Sequence, residues 1–214
     1  MKQEAKHLCW YCNEESGIGH FCEHCSKLQP APDQKDYFTF MGFKRKMQLD
    51  PKQLEEAFYS LSRKFHPDFY QNSSAKEKTL SLERTAVLNN AFQVLKDPIQ
   101  RVEYLLDLEC PIPAKERAKT PPALLQEIFE IQEVLESYRQ AKATKEEIEK
   151  VSQEVLEKIR LREKLLEDAG KEWDRLVVKD AKLKQAQKLR SILDELTYLK
   201  TLLQSIRTGG AIIH

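Results

Sequence analysis

Glycine is scarce in this chain, with 6 in 214 residues, and aromatic residues make up only 8%. Both shortages argue against a β-sandwich or barrel, which needs many turns and strand formers. Long apolar runs are missing too. None approaches the roughly 20 residues of a membrane span, so no membrane partner is expected. An excess of one charge sign is also absent: Lys plus Arg is 35 and Asp plus Glu is 34. That balance offers no broad attraction to nucleic acid or to an anionic surface. The opening MKQEAKHLCW carries no apolar signal region. A secretion signal is not expected there, nor an Arg-rich transit peptide. The expected compartment is a reducing cytoplasm, bacterial, with the mitochondrial matrix as the alternative. There is no internal repeat and no low-complexity segment.

What the chain has in quantity is helix formers. Leu, Glu, Lys, Gln and Ala dominate, and the composition is 41% hydrophobic and 32% charged. The expected fold class is all-α. Asp50 can cap a helix whose first turn suits Pro51, with Gln53 completing a capping-box-like pattern. Leu54, Phe58, Leu61 and Phe65 then recur on one helical face. Pro67 must end this helix, because it disfavours helical geometry at His66 and lacks an N–H. A polar loop, QNSSAKEK, leads to a second helix whose inner face is Leu80, Val87, Ala91 and Val94. The spacing predicts two antiparallel helices joined by a loop carrying His66, Pro67 and Asp68. Asp97 and Pro98 open a further helix, IQRVEYLLDL. After the linker ECPIPAKERAKT, Thr120 and Pro121 start a long helix with the core face Leu124, Ile128, Ile131, Leu135 and Tyr138. Thr144 and Glu147 form another capping box, and Ile148, Val151, Val155 and Ile159 continue the apolar pattern. Gly170 is expected to break it. A third long helix would carry Trp173, Leu189, Leu196, Leu199 and Ile206. Three amphipathic helices with short joins read as an antiparallel bundle.

The first 29 residues hold four of the five cysteines. CWYCNEESGIGHFCEHC places Cys9, Cys12, Cys22 and Cys25 as two Cys-x-x-Cys hooks, the usual way to set four thiolates around a tetrahedral Zn²⁺. So short a segment cannot bury a core without a staple, and metal binding supplies the folding free energy. Structural zinc in a compact knuckle is the expected occupant, with iron or a redox dithiol pair as alternatives. Gly17 and Gly19 are expected to allow the tight return, and Trp10 and Phe21 to pack over the site. His20 and His24 are close enough to ligate, but four cysteines already saturate the metal. Cys110 stands apart and reads as a small buried hydrophobe.

DYFTFMGF, the helix ending SRKFHPDFY, and NNAFQVLKDPIQRVEYLL together resemble a J-domain. The resemblance implies a docking loop for a DnaK-type chaperone ATPase, whose ATP hydrolysis it stimulates. Pro67 would present Asp68 outward, where its carboxylate can accept a bidentate bond from a partner arginine. His66 is expected to bond the free carbonyls at the helix end. Arg63 and Lys64 would speed encounter with an acidic surface. Tyr59 and Ser60 stand where the family often has cations, which points to a dedicated partner.

With RVEYLL and LLQEIFEIQEVL added, the chain resembles the HscB/Jac-type co-chaperones of iron–sulfur cluster assembly, some of which carry a four-cysteine module. The expected organisation is a zinc module over residues 1–29, a J-domain over 36–110, a linker over 111–119 and a three-helix bundle over 120–207. Val102, Leu105 and Leu106 would dock the J-domain to the bundle. Leu125 and Phe129 fall off the bundle's core face and are edged by Glu130 and Glu133. The resemblance implies that this strip binds an IscU-type scaffold, although packing on a neighbouring helix would explain the two apolar residues as well. Gln126 stands where the family often has methionine, and Leu196 or Tyr198 on the last helix would add a second contact. The partners so implied are an HscA-like chaperone and the scaffold. Homodimerisation remains one use for the cysteine module, beside partner choice and stability. No catalytic activity is expected. The rivals are a general protein-folding co-chaperone and a zinc-dependent redox-sensing module.

Overall fold

The computed structural model describes residues 7–17, 19–31, 36–111 and 144–208, with single positions at 126, 129, 133, 136, 137 and 140. The chain divides into two compact units, Met1–Asp97 and Pro98–His214. Helix dominates both. The described sheet is one antiparallel pair, β1 (His7–Leu8) and β2 (Glu15–Ser16), with His7 opposite Ser16.

In the first unit, α1 (Tyr37–Phe40) is a single turn capped by Asp36, whose carboxylate accepts the Phe38 N–H at 3.0 Å. It buries Phe38 and Phe40. The next helix, α2 (Pro51–Phe65), starts where expected: Asp50 accepts the N–H groups of Lys52 and Gln53, and Pro51 opens the first turn. It stops at His66, and Pro67–Tyr70 form a 3-10 turn. Ser74 then caps α3 (Ala75–Lys96). Cross-helix contacts show that α2 and α3 run antiparallel. Phe65 O meets Ser81 and Thr85, Phe58 stacks on Phe92 at 4.3 Å, and Glu55 reaches Lys96. Leu54, Leu61 and Phe65 face Leu80, Val87, Leu88, Ala91 and Leu95 in the core. Val94, expected on that face, is only half-buried, and Leu88 and Leu95 take the inward positions.

The second unit begins with α4 (Pro98–Glu109), which buries Val102, Leu105 and Leu106. It packs on α5 (Lys145–Arg175) and α6 (Lys179–Arg207). The capping box at the start of α5 forms as its sequence predicts: Thr144 Oγ1 accepts the Glu147 N–H, and Glu147 accepts the Thr144 N–H at 2.7 Å. Gly170 does not break α5. The helix runs through it to Arg175, with Ala169 and Gly170 both buried and Gln185 of α6 donating to Ala169 O at 2.8 Å. A mid-helix glycine costs only about 1 kcal/mol relative to alanine, less than the packing on α6 returns. Trp173 therefore lies on α5, and the chain reverses at residues 176–178 instead. The Glu163–Lys200 pair at one end and the Glu172–Lys188 pair further along show that α5 and α6 run antiparallel, and Arg162–Glu195 adds a third ion pair between them. Arg190 of α6 holds the end of α4 through Asp107 and the Cys110 carbonyl, at 2.9 and 3.0 Å. The linker over 112–119 and the core face Leu124, Ile128, Ile131, Leu135 and Tyr138 lie outside the described residues.

Candidate functional site

Each cysteine hook turns the same way. The Cys9 carbonyl accepts the Asn13 N–H, and the Cys22 carbonyl accepts the Ser26 N–H, at 3.0 and 2.9 Å. Both turns need a left-handed residue, and Asn13 and Ser26 supply it, each at φ 58°. Asparagine tolerates this conformation better than most side chains. In the return between the hooks neither Gly17 nor Gly19 needs a positive φ, but Gly17 permits a close approach, since a Cβ there would come within 2.9 Å of Glu23 Oε1. Within each hook a backbone N–H points at sulfur: Tyr11 N–H at Cys9 Sγ and His24 N–H at Cys22 Sγ, both at 3.4 Å.

The result brings Cys9, Cys12, Cys22 and Cys25 together, with all four Sγ atoms within 4.8 Å of one another. Two pairs sit at 3.6 and 3.7 Å. A tetrahedron with metal–sulfur bonds of about 2.3 Å has edges of about 3.8 Å, so the donor set fits a four-thiolate metal site. Burial works against charge on Cys9, yet the N–H groups of Cys12 and Tyr11 and the neighbouring thiols more than offset it, holding that thiol at about 6. Cys22 is lowered as well, by the Cys25 N–H, whereas burial raises Cys25, and Cys12, against the Glu14 N–H, is pushed up to about 12 by burial and the neighbouring thiols. The thiolate is the ligand, so metal binding would deprotonate the raised pair. Neither nearby histidine joins the set. His24 Nε2 lies 3.1 Å from Glu15 O. His20 turns its ring edge onto Phe40 and Phe65, at 5.0 and 4.9 Å between centroids. Burial first, and then the Arg84 charge, push His20 down to about 4. Trp10 donates to Leu28 O at 2.7 Å, and Phe21 faces Phe65.

The module is fastened to α2 and α3 by residues outside the expected sites. Arg84 is 1% exposed. It donates to Gln29 O at 2.9 Å and Pro30 O at 2.8 Å, and it contacts His20 Nδ1. Burial lowers its pKa to about 10, so it stays charged at neutral pH. Lys27 reaches Glu77 at 3.0 Å. The available signal was position: Arg84 shares a helical face with Leu80, Leu88 and Ala91, where a cation is out of place unless something arrives to meet it.

At the His66–Asp68 loop, Pro67 fixes the exit from α2. Asp68 keeps 70% of its side chain exposed. His66 departs from expectation: rather than bonding helix-end carbonyls, its Nδ1 accepts the Asp68 N–H at 3.3 Å and caps the 3-10 turn. The same nitrogen lies 3.5 Å from Asp68 Oδ2. The carbonyls find other partners. Phe65 O accepts Ser81 Oγ and Thr85 Oγ1, and Lys64 O accepts the Tyr70 hydroxyl at 3.0 Å. Gln71 donates to Asp68 Oδ1 at 3.2 Å, and the carboxylate as a whole stays open to solvent. Arg63 and Lys64 are exposed beside it, as are Tyr59 and Phe69.

On the third surface, Phe129 is helical and 68% exposed, and Gln126 and Glu133 are exposed helical positions. Leu125 and Glu130 lie outside the described residues. Leu196 is fully buried within the second unit and is not available to a partner; Tyr198 is half-buried.

A helical hairpin with His-Pro-Asp at its bend defines a J-domain protein, and residues 36–104 match the DnaJ domain family. Residues 120–207 match the HSCB C-terminal oligomerisation domain. The chain is 38% identical over 146 residues to the iron–sulfur cluster co-chaperone protein HscB of Mus musculus, covering 66% of this chain and 62% of that one. The Homo sapiens HscB is 33% identical over 148 residues, covering 67% of this chain and 63% of its own length. For the Arabidopsis thaliana homolog the match is 34% over 127 residues, with 59% and 50% covered. The chain thus spans between half and two thirds of the length of these relatives. The crystal structure of human co-chaperone protein HscB superposes with a TM-score of 0.76 at 26% identity, over 96% of this chain and 99% of that one. Chaperone HscB from Vibrio cholerae gives 0.55 at 26% identity, over 79% and 98%. This chain combines a DnaJ domain with an HSCB C-terminal domain and is similar to the HscB co-chaperones.

Proposed function

We propose that the chain is a co-chaperone of iron–sulfur cluster assembly. It recruits an IscU-type scaffold to a DnaK-type, HscA-like chaperone and stimulates that partner's ATP hydrolysis. The observation that carries the reading is the outward Asp68 carboxylate, held on a capped 3-10 turn in a chain that also matches the HSCB C-terminal domain. The chain performs no chemistry of its own. Its loop binds the chaperone state competent for hydrolysis better than the alternative state, and this differential affinity shifts the partner's population.

Arg63 and Lys64, exposed on the last turn of α2, steer an acidic surface toward Asp68. Pro67 and the His66 cap hold the loop rigid, so little ordering entropy is lost on docking. Phe129 and Glu133, with Leu125 and Glu130, form the scaffold contact: an exposed apolar residue edged by carboxylates suits a partner strip. One chain holding both partners raises the effective concentration of each for the other. Cys9, Cys12, Cys22 and Cys25 hold a structural Zn²⁺, which cross-links the two hooks and supplies the module's folding free energy. A homodimer set by the cysteine module, and a bacterial cytoplasmic location with the mitochondrial matrix as the alternative, complete the reading.

The test is steady-state ATPase of a purified DnaK-type partner with this chain and scaffold added separately and together. Stimulation by the chain, greater with scaffold present, supports the reading. Stimulation that is indifferent to scaffold, coupled with protection of unrelated unfolded proteins from aggregation, would favour a general folding co-chaperone.

A further inference from the structure

The His66–Asp68 loop is gripped by the cysteine module on both sides. Before the loop, Phe65 lies under His20 and the Arg84 guanidinium, whose carbon is 5.8 Å from the ring centroid. After the loop, Ser74 caps α3 and its hydroxyl bonds Glu77, the buried carboxylate that Lys27 of the module pairs with. Every described acceptor of Arg84 comes from residues 20–30: His20, Gln29 O and Pro30 O. Gln29 in turn donates its buried Nε2 to Cys9 Sγ at 3.3 Å. A continuous set of contacts therefore runs from a cysteine sulfur to the residue that precedes His66.

We infer that the four-cysteine module is a clasp on the J-domain, and that Arg84 is the positioning residue through which the metal-loaded state of the cysteines sets the order of residues 65–74. A module this short keeps its turns only while the metal is bound. When the metal leaves, Arg84 loses its acceptors. A buried guanidinium without acceptors must admit water, which opens the Phe40 and Phe65 face against which it lies. Glu77 loses Lys27 in the same event. Both ends of the loop are then freed, although no loop residue touches a cysteine. The module thus gates presentation of Asp68 rather than merely preceding it. The inference relies on the J-domain reading only for what the loop binds.

The experiment is hydrogen exchange on the full chain, zinc-loaded and after zinc is stripped by a chelator, with no chaperone present. Stripping is expected to raise exchange in peptides over 61–74 by about tenfold or more, leaving α5 and α6 unchanged, and added zinc restores protection. Arg84→Leu is expected to retain its zinc, to exchange quickly over 61–74 even when loaded, and to respond to stripping by less than about twofold. If that variant does not fold, Arg84→Lys serves instead. It keeps the charge but lacks the fork that spans two carbonyls, and its response falls between the other two. Unchanged protection over 61–74 after verified zinc loss overturns the inference. So does an Arg84 variant that responds to stripping as the wild type does. Failure of chaperone stimulation alone would strike the proposed function and leave these results standing.

Discussion

The end of α2 depends on one carbonyl shared by two hydroxyls. Phe65 O accepts Ser81 Oγ at 2.6 Å and Thr85 Oγ1 at 3.2 Å, with Ser81 fully buried. Ser81→Ala removes the shorter bond but leaves the carbonyl a partner, so the loss is about 1 kcal/mol. Thr85→Val removes the longer bond at about 0.5 kcal/mol. The double variant leaves a buried acceptor unsatisfied, at a cost of about 3 kcal/mol. The expected coupling between the sites is thus about 1.5 kcal/mol, within the range for residues that share a partner. At an m-value of about 1.5 kcal/mol/M, the double variant lowers the urea midpoint by about 2 M and Ser81→Ala by about 0.7 M. Hydrogen exchange of α2 peptides across a urea series reads the first unit separately from the second. Strict additivity of the two substitutions would refute the shared carbonyl. No shift in either single variant would mean that the end of α2 is open to water.

Cys12→Ser is expected to abolish metal binding, read by elemental analysis, and to expose the amides of residues 7–30; retained metal would contradict the four-thiolate assignment. Burial opposes ionisation of Glu77, but its bonds to Lys27 and Ser74 prevail and its pKa falls below the ordinary 4.5. A lowered carboxylate adds stability that is full above 4.5 and fades as pH drops through the folded-state value. Glu77→Gln should therefore flatten the acid limb of the first unit's melting profile below pH 4.5 while changing its slope little at neutral pH. Phe129→Ala with Glu133→Ala is expected to weaken scaffold binding at least about tenfold in calorimetry, the effect of roughly 1.4 kcal/mol, without loss of helicity.

Local signals were legible where one residue type does one job. Asp50 with Pro51 announces the start of α2, Pro67 its end, and Thr144 with Glu147 the start of α5. The cysteine spacing is equally direct, since two hooks must converge to make a site. What the sequence hid was tertiary. Gly170 reads as a stop because glycine is a poor helix former, and only the packing of α6 carries α5 through it. The left-handed turns inside the hooks fall to Asn13 and Ser26, a backbone fact with little trace in composition. By its spacing the module over residues 1–29 looks self-contained. Nothing in residues 1–29 shows that their carbonyls answer an arginine more than fifty residues on, and only the apolar face around Arg84 hints at it. The carbonyls expected to meet the His66 ring are taken by Ser81, Thr85 and Tyr70.

The claim on which the functional account rests is that the Asp68 carboxylate is the handle for the chaperone. Asp68→Asn is nearly isosteric at an exposed position, and it leaves the His66 cap to the backbone N–H intact. Steady-state ATPase of the DnaK-type partner, titrated with this variant and with the wild type, is the direct measurement. The account predicts that the variant keeps the wild-type circular dichroism and loses stimulation. A variant that stimulates as strongly as the wild type at equal concentration would contradict it.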